Sequence, residues 1–384
     1  MAQALFWLLL AIILNGSFNP ALVPESPLAC PTDVAQPYLT AEDDAPLGDR
    51  VPVILIHGWI AECGGPKQGW EFFLEYLQRR GLFKEFKFYR FIYPSRRLNL
   101  KDAGRALAAA IAARPELQGK QLILIGHSRG GLVARAYLEL FGGHEHVFRL
   151  ITLATPHHGT PLASLLALLD GDLGDATVRA GLKRMLHLGR YTDLLLIGAK
   201  LVIDLGYQLL FGIVPRSFHD MRWDDYDQIT QRDYAHYPDR IKATLDNEFL
   251  RKLNEITEWD DRIIAYAGYL PPEPRWDRGL GWDGNLQRTA YRFSAALEGL
   301  LPGDFGWSDG LVPLRSATFA GHRVARRGPF PSMCHTDLRD NPEVLRQIVR
   351  DLQAIHAELQ RVSLLRKATS SCAVVRGMVR LCAG

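Results

Sequence analysis

The residues best placed for chemistry in this chain are a serine and its neighbours, Gly126-His127-Ser128-Arg129-Gly130. A serine hydroxyl is a poor nucleophile until a base takes its proton, and that base needs a carboxylate to orient it. Glycines on both sides of Ser128 permit a sharp turn where a strand and a helix approach too closely for side chains. The spacing Gly-x-Ser-x-Gly therefore predicts an exposed nucleophile at a strand-to-helix turn.

Candidates for the carboxylate and the base lie far along the chain, in the order serine, acid, histidine that such a turn requires. Asp309 stands in Ser308-Asp-Gly-Leu-Val-Pro313, just before the last predicted strand. His335 follows in a loop before the final predicted helix, and a loop position lets the imidazole reach back to Ser128. We expect Asp309 to orient His335 and His335 to act as the base. Asp283 and Asp304 are the alternatives for the acid.

Three other histidines are weaker candidates for the base. His157 and His158 follow the strand after the serine turn and precede every plausible acid, so we expect them to shape the wall of the site. His322 falls within the last predicted strand.

Two backbone amides are predicted to stabilise the negative oxygen that forms when a hydroxyl attacks a carbonyl. One belongs to Arg129, directly after the nucleophile, and the other to Trp59, in the loop after the first core strand. Gly58 permits the backbone to approach the reacting group. His57, Gly58 and His127 are assigned to the substrate-binding surface.

The elements that must position these residues alternate between strands and helices. The first strand, Val51–Ile56, is a short continuous apolar run, typical of a strand buried on both faces of a sheet. Alternation at this spacing indicates βαβ units and a mostly parallel sheet flanked by helices. Strands are predicted at 51–56, 87–93, 121–125, 148–153, 262–267 and near 317–324, and helices at 70–80, 100–113, 128–140, 248–254 and 342–362.

The alternation breaks between about 161 and 245, where the chain is helical and irregular. Its stretch 194–214 has the length of a membrane span, but Lys200 and Asp204 lie one helical turn apart within it. We interpret 161–245 as a helical cap, or lid, inserted on the sheet. A plain helix of the core is the alternative. Since Ser128 precedes the cap while Asp309 and His335 follow it, residues 51–362 must fold as one catalytic domain.

The two ends of the chain lie outside that domain. Residues 4–14 form an unbroken apolar run, too short to cross a bilayer but typical of a secretory signal peptide. The segment 1–50 is therefore predicted to be a signal-like stretch and an arm, on a protein that is secreted or exported. A membrane anchor and a buried N-terminal helix are the alternatives. The basic tail 363–384 is predicted to be peripheral.

Composition excludes several classes of protein. With 45 Lys plus Arg against 42 Asp plus Glu, the net charge of +3 lacks the basic excess of a nucleic-acid binder. The five cysteines contain no Cys-x-x-Cys pair, which argues against a structural zinc site. Cys63 and Cys334 both belong to loops near the predicted site. They could form a disulfide, although two free thiols are the preferred interpretation. The oligomeric state is open.

Several motifs occur together and in order between Val51 and Leu359, and as a set they resemble bacterial lipases and esterases of the α/β-hydrolase superfamily. The resemblance implies an α/β-hydrolase fold with a hydrophobic lid that can contact a lipid interface. It also implies hydrolysis of carboxylic esters, triacylglycerols among them, without a cofactor. Some such lipases bind a structural calcium through an Asp two residues after the catalytic His, the place of Asp337 here, with Asp283 as a possible partner. The motifs are Ile56-His-Gly58, Gly126-His-Ser-Arg-Gly-Gly131, Thr155-Pro-His-His-Gly-Thr-Pro161, Phe249-Leu250 with Leu253-Asn254, Asp309-Gly-Leu-Val312 and His335-Thr-Asp337.

Two other functions fit the same motifs. An acyltransferase or an amidase uses the same three residues and differs in the acceptor or the bond cleaved. A non-catalytic binding protein of this fold is the second alternative. It has no need for Ser128, Asp309 and His335 together.

Overall fold

The computed structural model of the chain describes residues 34, 36–59, 61, 67–161, 163–164, 167, 216–224, 246–270 and 307–381. The predicted alternation of strands and helices is present in it. The strands are β1 Tyr38–Ala41, β2 Val51–Ile56, β3 Phe86–Ile92, β4 Leu122–His127, β5 Val147–Leu153, β6 Ile263–Tyr269 and β7 Ala325–Pro331. The helices are α1 Glu71–Arg79, α2 Leu100–Ala112, α3 Arg129–Leu140, α4 Arg216–His219, α5 Glu248–Asn254, α6 Leu314–Ala317, α7 Asp337–Asp340 and α8 Pro342–Leu381.

The seven strands form one sheet in the order β1-β3-β2-β4-β5-β6-β7. All neighbouring pairs are parallel except β1 with β3, which is antiparallel. The strand that ends in His127 is central: Val53–Ile56 of β2 pair with Ile123–Gly126 of β4, whose other edge pairs with β5. This arrangement is that of the α/β-hydrolase fold.

Alternate residues of the central strands face two separate apolar layers. Ile54 and Ile56 of β2 pack in the layer that contains α2 and α3, while Val53 and Leu55 pack in the layer that contains α1 and the first turns of α8. Because successive strand side chains point to opposite faces, a strand covered by helices on both sides must be apolar at every position. This explains the unbroken apolar runs by which these strands were predicted.

The prediction differs from the structure most at the last strand, the N-terminal arm and the last helix. The last strand, predicted near 317–324, is wrong: those residues hold the end of α6 and a turn, and the strand follows at Ala325–Pro331. The N-terminal arm contains a strand, β1, that the sequence reading missed. The last helix runs on from the predicted end at 362 to Leu381.

Most of the predicted cap and the whole predicted signal segment lie outside the described residues, as does the 194–214 stretch. Two short pieces of the cap region are described, around 161–167 and at 216–224. Among the described residues, no helix combines the length and apolar content that a membrane crossing requires.

The parallel strands bring the chemically interesting loops to one edge of the sheet. Residues that follow a parallel strand lie at its carboxyl end, and ligands of open α/β sheets bind beside these ends. Trp59, Ser128, Asp309 and His335 follow β2, β4, β6 and β7, so the fold gathers them at this edge.

Candidate active site

Ser128 occupies the strained turn that its flanking glycines predict. Its backbone has φ +54° and ψ −128°, a region that side chains rarely adopt, and it lies between β4 and α3. A Cβ on Gly130 would lie 2.2 Å from the Ile56 carbonyl oxygen, and one on Gly126 would lie 2.5 Å from Gly131 Cα. Only glycine fits at either position. Ser128 is half-buried, whereas its neighbours His127 and Arg129 are buried.

Asp309 is wholly buried, and both of its carboxylate oxygens are used. Oδ1 accepts hydrogen bonds from the backbone amides of Leu311 and Val312, at 2.9 and 2.8 Å. Oδ2 accepts from Nδ1 of His335 at 2.8 Å. Residues 309–312 therefore form a turn whose backbone amides hold one carboxylate oxygen of Asp309, while the other oxygen faces His335.

His335 lies in a short loop between β7 and α7, and the residues on either side of this histidine, Cys334 and Asp337, are hydrogen-bonded to each other. The Cys334 amide donates to Oδ2 of Asp337 at 2.7 Å, and the Asp337 amide donates to the Cys334 carbonyl at 3.0 Å. Since the Asp309 carboxylate accepts a hydrogen bond from Nδ1–H, the tautomer of His335 leaves Nε2 with a free lone pair. This is the arrangement that a general base requires.

His127 connects the serine turn to the histidine loop. Its Nε2–H donates to the main-chain carbonyl of His335 at 3.1 Å, and the two rings lie 5.0 Å apart. Burial lowers the pKa of His127 well below 6.5, and His335 and Arg339 lower it further. His127 is thus a neutral support, whereas the sequence assigned it to the substrate surface. Its burial gives the physical reason for this correction.

The loop after β2 lies against the nucleophile. A Cβ on Gly58 would lie 3.1 Å from Cβ of Ser128, so this backbone must pass close by the serine. His57 holds the loop in place: Nδ1–H donates to the Gly58 carbonyl at 2.8 Å, and Nε2 accepts from the Tyr93 amide at 3.4 Å. His57 is 1% exposed and stacks on Tyr93. Its predicted substrate contact is therefore corrected to a supporting role within the loop.

The three competing histidines are held in other bonds. His157 is wholly buried, donates to Thr152 at 2.9 Å and stacks on Phe319, and burial lowers its pKa well below 6.5. His158 bonds the Asp224 carboxylate at 2.8 Å. His322 bonds Asp260 at 3.0 Å from a turn, outside any strand.

The predicted calcium site rests on two residues, of which the structure describes one. Oδ2 of Asp337 already accepts the Cys334 amide, and the described part of the chain holds no group of three or more His, Cys, Asp or Glu suited to a metal ion. Asp337 alone does not fit calcium, which takes six to eight oxygen ligands. Asp283 lies outside the described residues, so calcium binding stays a prediction.

Cys334 is a free thiol in the structure. It is half-buried, and burial raises its pKa to about 12. Cys63, Asp304 and Asp283 lie outside the described residues, so the alternative acids stay predictions and nothing is described of Cys63.

The sequence around the Ser128 turn matches the model of a known family. Residues 100–170 match the model of the PGAP1-like alpha/beta domain. This range contains Ser128, the strand before it and the strand that follows α3. No curated protein matches the chain by sequence.

Solved structures similar to the chain include three lipases. The mature lipase of Bacillus licheniformis has 17% identity and a TM-score of 0.48, covering 82% of this chain and 97% of that one. The Staphylococcus hyicus lipase has 16% identity and a TM-score of 0.43, covering 84% and 98%. The Paleococcus ferrophilus monoacylglycerol lipase has 12% identity and a TM-score of 0.42, covering 84% and 99%.

Ser128, Asp309 and His335 were predicted from the sequence, whereas the hydrogen bonds around them were not. The hydrogen bond from His127 to His335 joins residues 208 positions apart, and no pattern in the sequence predicts it. The one available signal was the histidine beside the serine.

Proposed function

We propose that the protein is a serine hydrolase that cleaves carboxylic esters through an acyl-enzyme. The observation that carries the proposal is the buried 2.8 Å hydrogen bond between His335 and Asp309, in a loop bonded to the residue beside Ser128. A buried acid, a buried histidine and a half-buried serine on a strained turn together support nucleophilic catalysis.

The first half-reaction transfers the acyl group to the enzyme. Nε2 of His335 takes the proton of Ser128 as Oγ bonds to the ester carbonyl carbon, and the carbonyl electron pair moves to oxygen. Asp309 stabilises the imidazolium that results. The amides of Trp59 and Arg129 would donate to the negative oxygen. When the carbonyl re-forms, the alkoxide leaves and takes its proton from His335.

The second half-reaction releases the acid. His335 takes a proton from water, whose oxygen attacks the acyl carbon, and collapse of the intermediate returns the proton to Ser128. Only water and the ester are consumed, so the chemistry calls for no cofactor.

An uncharged, apolar ester is the substrate class that the surroundings of the site favour. Trp307 lies two residues before Asp309, is 49% exposed and packs on Tyr269 at the carboxyl end of β6. An exposed aromatic ring at this position offers an apolar surface to an acyl chain. We also propose that the predicted cap contacts a lipid interface. The apolar run of residues 4–14 supports the further proposal that the protein is exported.

The test is hydrolysis of p-nitrophenyl esters of several chain lengths, with emulsified esters alongside. We expect activity from the wild-type chain and from Ser363→Ala, an exposed serine on α8. Ser128→Ala should retain less than about a thousandth of the rate. Full activity in Ser128→Ala, or none in the wild type towards every ester, would contradict the proposal.

A further inference from the structure

One short segment, residues 216–224, holds the side chains of both residues whose amides are proposed to stabilise the oxyanion. The Trp59 indole Nε1–H donates to Ser217 Oγ at 3.2 Å. The Arg129 guanidinium lies 3.5 Å from the Asp220 carboxylate. Trp59 and Arg129 are far apart in sequence, and the segment meets both.

Ser217 is fixed on both sides of its hydroxyl. Oγ accepts from Trp59 and donates to the Arg96 carbonyl at 2.9 Å. The indole is thereby tied to the loop after β3 as well as to the segment. Only two rotatable bonds, Cα–Cβ and Cβ–Cγ, separate the indole from the backbone, so fixing the ring limits the positions that the Trp59 backbone can take.

Asp220 neutralises a charge that water cannot reach. The Arg129 side chain is 0% exposed, and a buried guanidinium requires a counter-ion. The same Asp220 oxygen accepts the Leu100 amide at 2.8 Å, which fixes its position at the start of α2.

Arg129 passes this restraint on to the loop after β2. Its Nη1 donates to the Tyr93 hydroxyl at 3.4 Å, and that hydroxyl donates to the His57 carbonyl at 3.1 Å. The network therefore runs from Asp220 through Arg129 and Tyr93 to the residue before Gly58.

The segment itself is bonded to the rigid part of the fold. The Thr160 amide donates to the Met221 carbonyl at 2.8 Å, and the Asp224 amide donates to the His158 carbonyl at 2.9 Å. Asn247 donates to the carbonyl of Asp220 at 3.0 Å. A segment held by these hydrogen bonds can fix the positions of the side chains that it contacts.

On the basis of the proposed ester hydrolysis, we infer that Ser217 and Asp220 are positioning residues for the oxyanion hole. They hold the Trp59 and Arg129 amides in the geometry that the transition state requires. An oxyanion donor works only when it is fixed at about 2.7–3.1 Å from the developing charge. The segment 216–224 thus belongs to the catalytic apparatus, although none of its side chains is assigned to the reacting atoms.

The test is a double-mutant cycle on kcat with Ser217→Ala, Trp59→Phe and the double variant. Each single change should lower kcat about tenfold with KM nearly unchanged, less than the loss of a whole donor. The double variant should be no slower than the slower single, because both changes break one hydrogen bond. Ser217→Thr, which keeps the hydroxyl, should restore most of the rate.

Asp220→Asn extends the test to Arg129, with Asp246→Asn as the matched control, since Asp246 forms an exposed pair with Arg251. We expect kcat to fall about tenfold in Asp220→Asn and to stay unchanged in the control. The inhibition constant of an alkyl trifluoromethyl ketone, whose adduct carries an oxyanion, should rise by the factor by which kcat/KM falls. If Asp220→Asn does not fold, the Ser217 and Trp59 variants decide.

The outcomes separate this inference from the proposed function. Wild-type activity with unchanged kcat in the folded variants overturns the positioning role and leaves ester hydrolysis standing. The positioning role is also overturned if the losses of kcat from the two single variants add in the double variant. It is overturned as well if kcat falls only in variants whose Tm is lowered. A wild-type chain that hydrolyses no ester overturns both.

Discussion

His127 donates a hydrogen bond from Nε2 to the main-chain carbonyl of His335 at 3.1 Å. The last residue of β4 thus holds the loop that carries the proposed base, directly beside the proposed nucleophile. The neutral imidazole of His127 therefore joins the end of β4 to the loop after β7, although the two are far apart in sequence.

Replacing His127 should therefore slow the reaction without removing any reacting group. A catalytic group displaced by about 1 Å can lose about a hundredfold in rate, so we expect His127→Ala to lower kcat about ten- to a hundredfold. His146→Gln, at a half-buried position before β5, is the control and should leave kcat unchanged. An unaltered kcat in a folded His127→Ala would show that the bond has no role in positioning His335.

The stability of the fold should fall in mild acid because two buried histidines are neutral. Burial holds the pKa of His127 and of His157 well below 6.5, whereas both titrate near 6.5 in the unfolded chain. As the pH falls below 6.5, the unfolded state binds more protons, so unfolding becomes more favourable. Each histidine contributes a loss of up to about 1.4 kcal/mol per pH unit.

Urea unfolding at about pH 7.5 and about pH 5 measures this loss. His157→Asn should be less stable at neutral pH yet show a shallower dependence of the unfolding free energy on pH. An equal dependence in the variant and the wild type would contradict the account of His157.

Much of the fold was predictable because its central strands are covered on both faces. The strands β2 to β6 are mostly apolar, and all five were predicted within about two residues of their observed bounds. The two strands that were missed or misplaced, β1 and β7, are the edges of the sheet. β7 reads Ala-Arg-Arg-Gly-Pro-Phe-Pro and is largely exposed. Edge strands carry charged residues and proline, so no apolar pattern marks them.

The site divides in the same way. Ser128, Asp309 and His335 could be predicted because their proposed chemistry requires those residue types in a fixed order. The proposed positioning residues His127, Ser217 and Asp220 make contacts between distant parts of the sequence, and such contacts arise only when the chain folds.

Losing one member of the buried pair Arg135 and Glu139 on α3 should destabilise the fold, whereas replacing both with apolar residues should be tolerated. Their side chains are 0% and 1% exposed and bond at 2.9 Å, and burial raises the pKa of Glu139 to about 7. Arg135→Met leaves a buried carboxylate without its partner, so we expect a loss of about 3–5 kcal/mol in the free energy of unfolding.

The double variant Arg135→Met/Glu139→Leu should recover most of that loss, as measured by urea unfolding. A double variant as unstable as Arg135→Met alone would mean that packing around the guanidinium, rather than the unpaired charge, explains the effect. Arg79→Met removes an exposed pair with Glu75 and should change stability by less than about 1 kcal/mol.

Two glycines near the serine should respond differently to alanine. At Gly130 a Cβ would meet the Ile56 carbonyl at 2.2 Å, so Gly130→Ala should prevent folding. At Gly58 a Cβ would meet Ser128 Cβ at 3.1 Å, a contact that a small shift relieves. Gly58→Ala should therefore fold, with kcat lowered at least about tenfold through displacement of the oxyanion loop. Circular dichroism and kcat on one ester measure both effects. A fully active Gly58→Ala would contradict the close approach of this loop to the nucleophile.

The most direct test of the central claim is to find which residue a fluorophosphonate labels. We predict a single adduct, mapped by peptide mass spectrometry to Ser128, formed at a rate that competing ester slows. Ser128→Ala should not be labelled, Asp309→Asn should be labelled more slowly, and Ser363→Ala should be labelled as the wild type is. An adduct on another residue, or a wild-type chain that is not labelled at all, would contradict the assignment of Ser128 as the nucleophile.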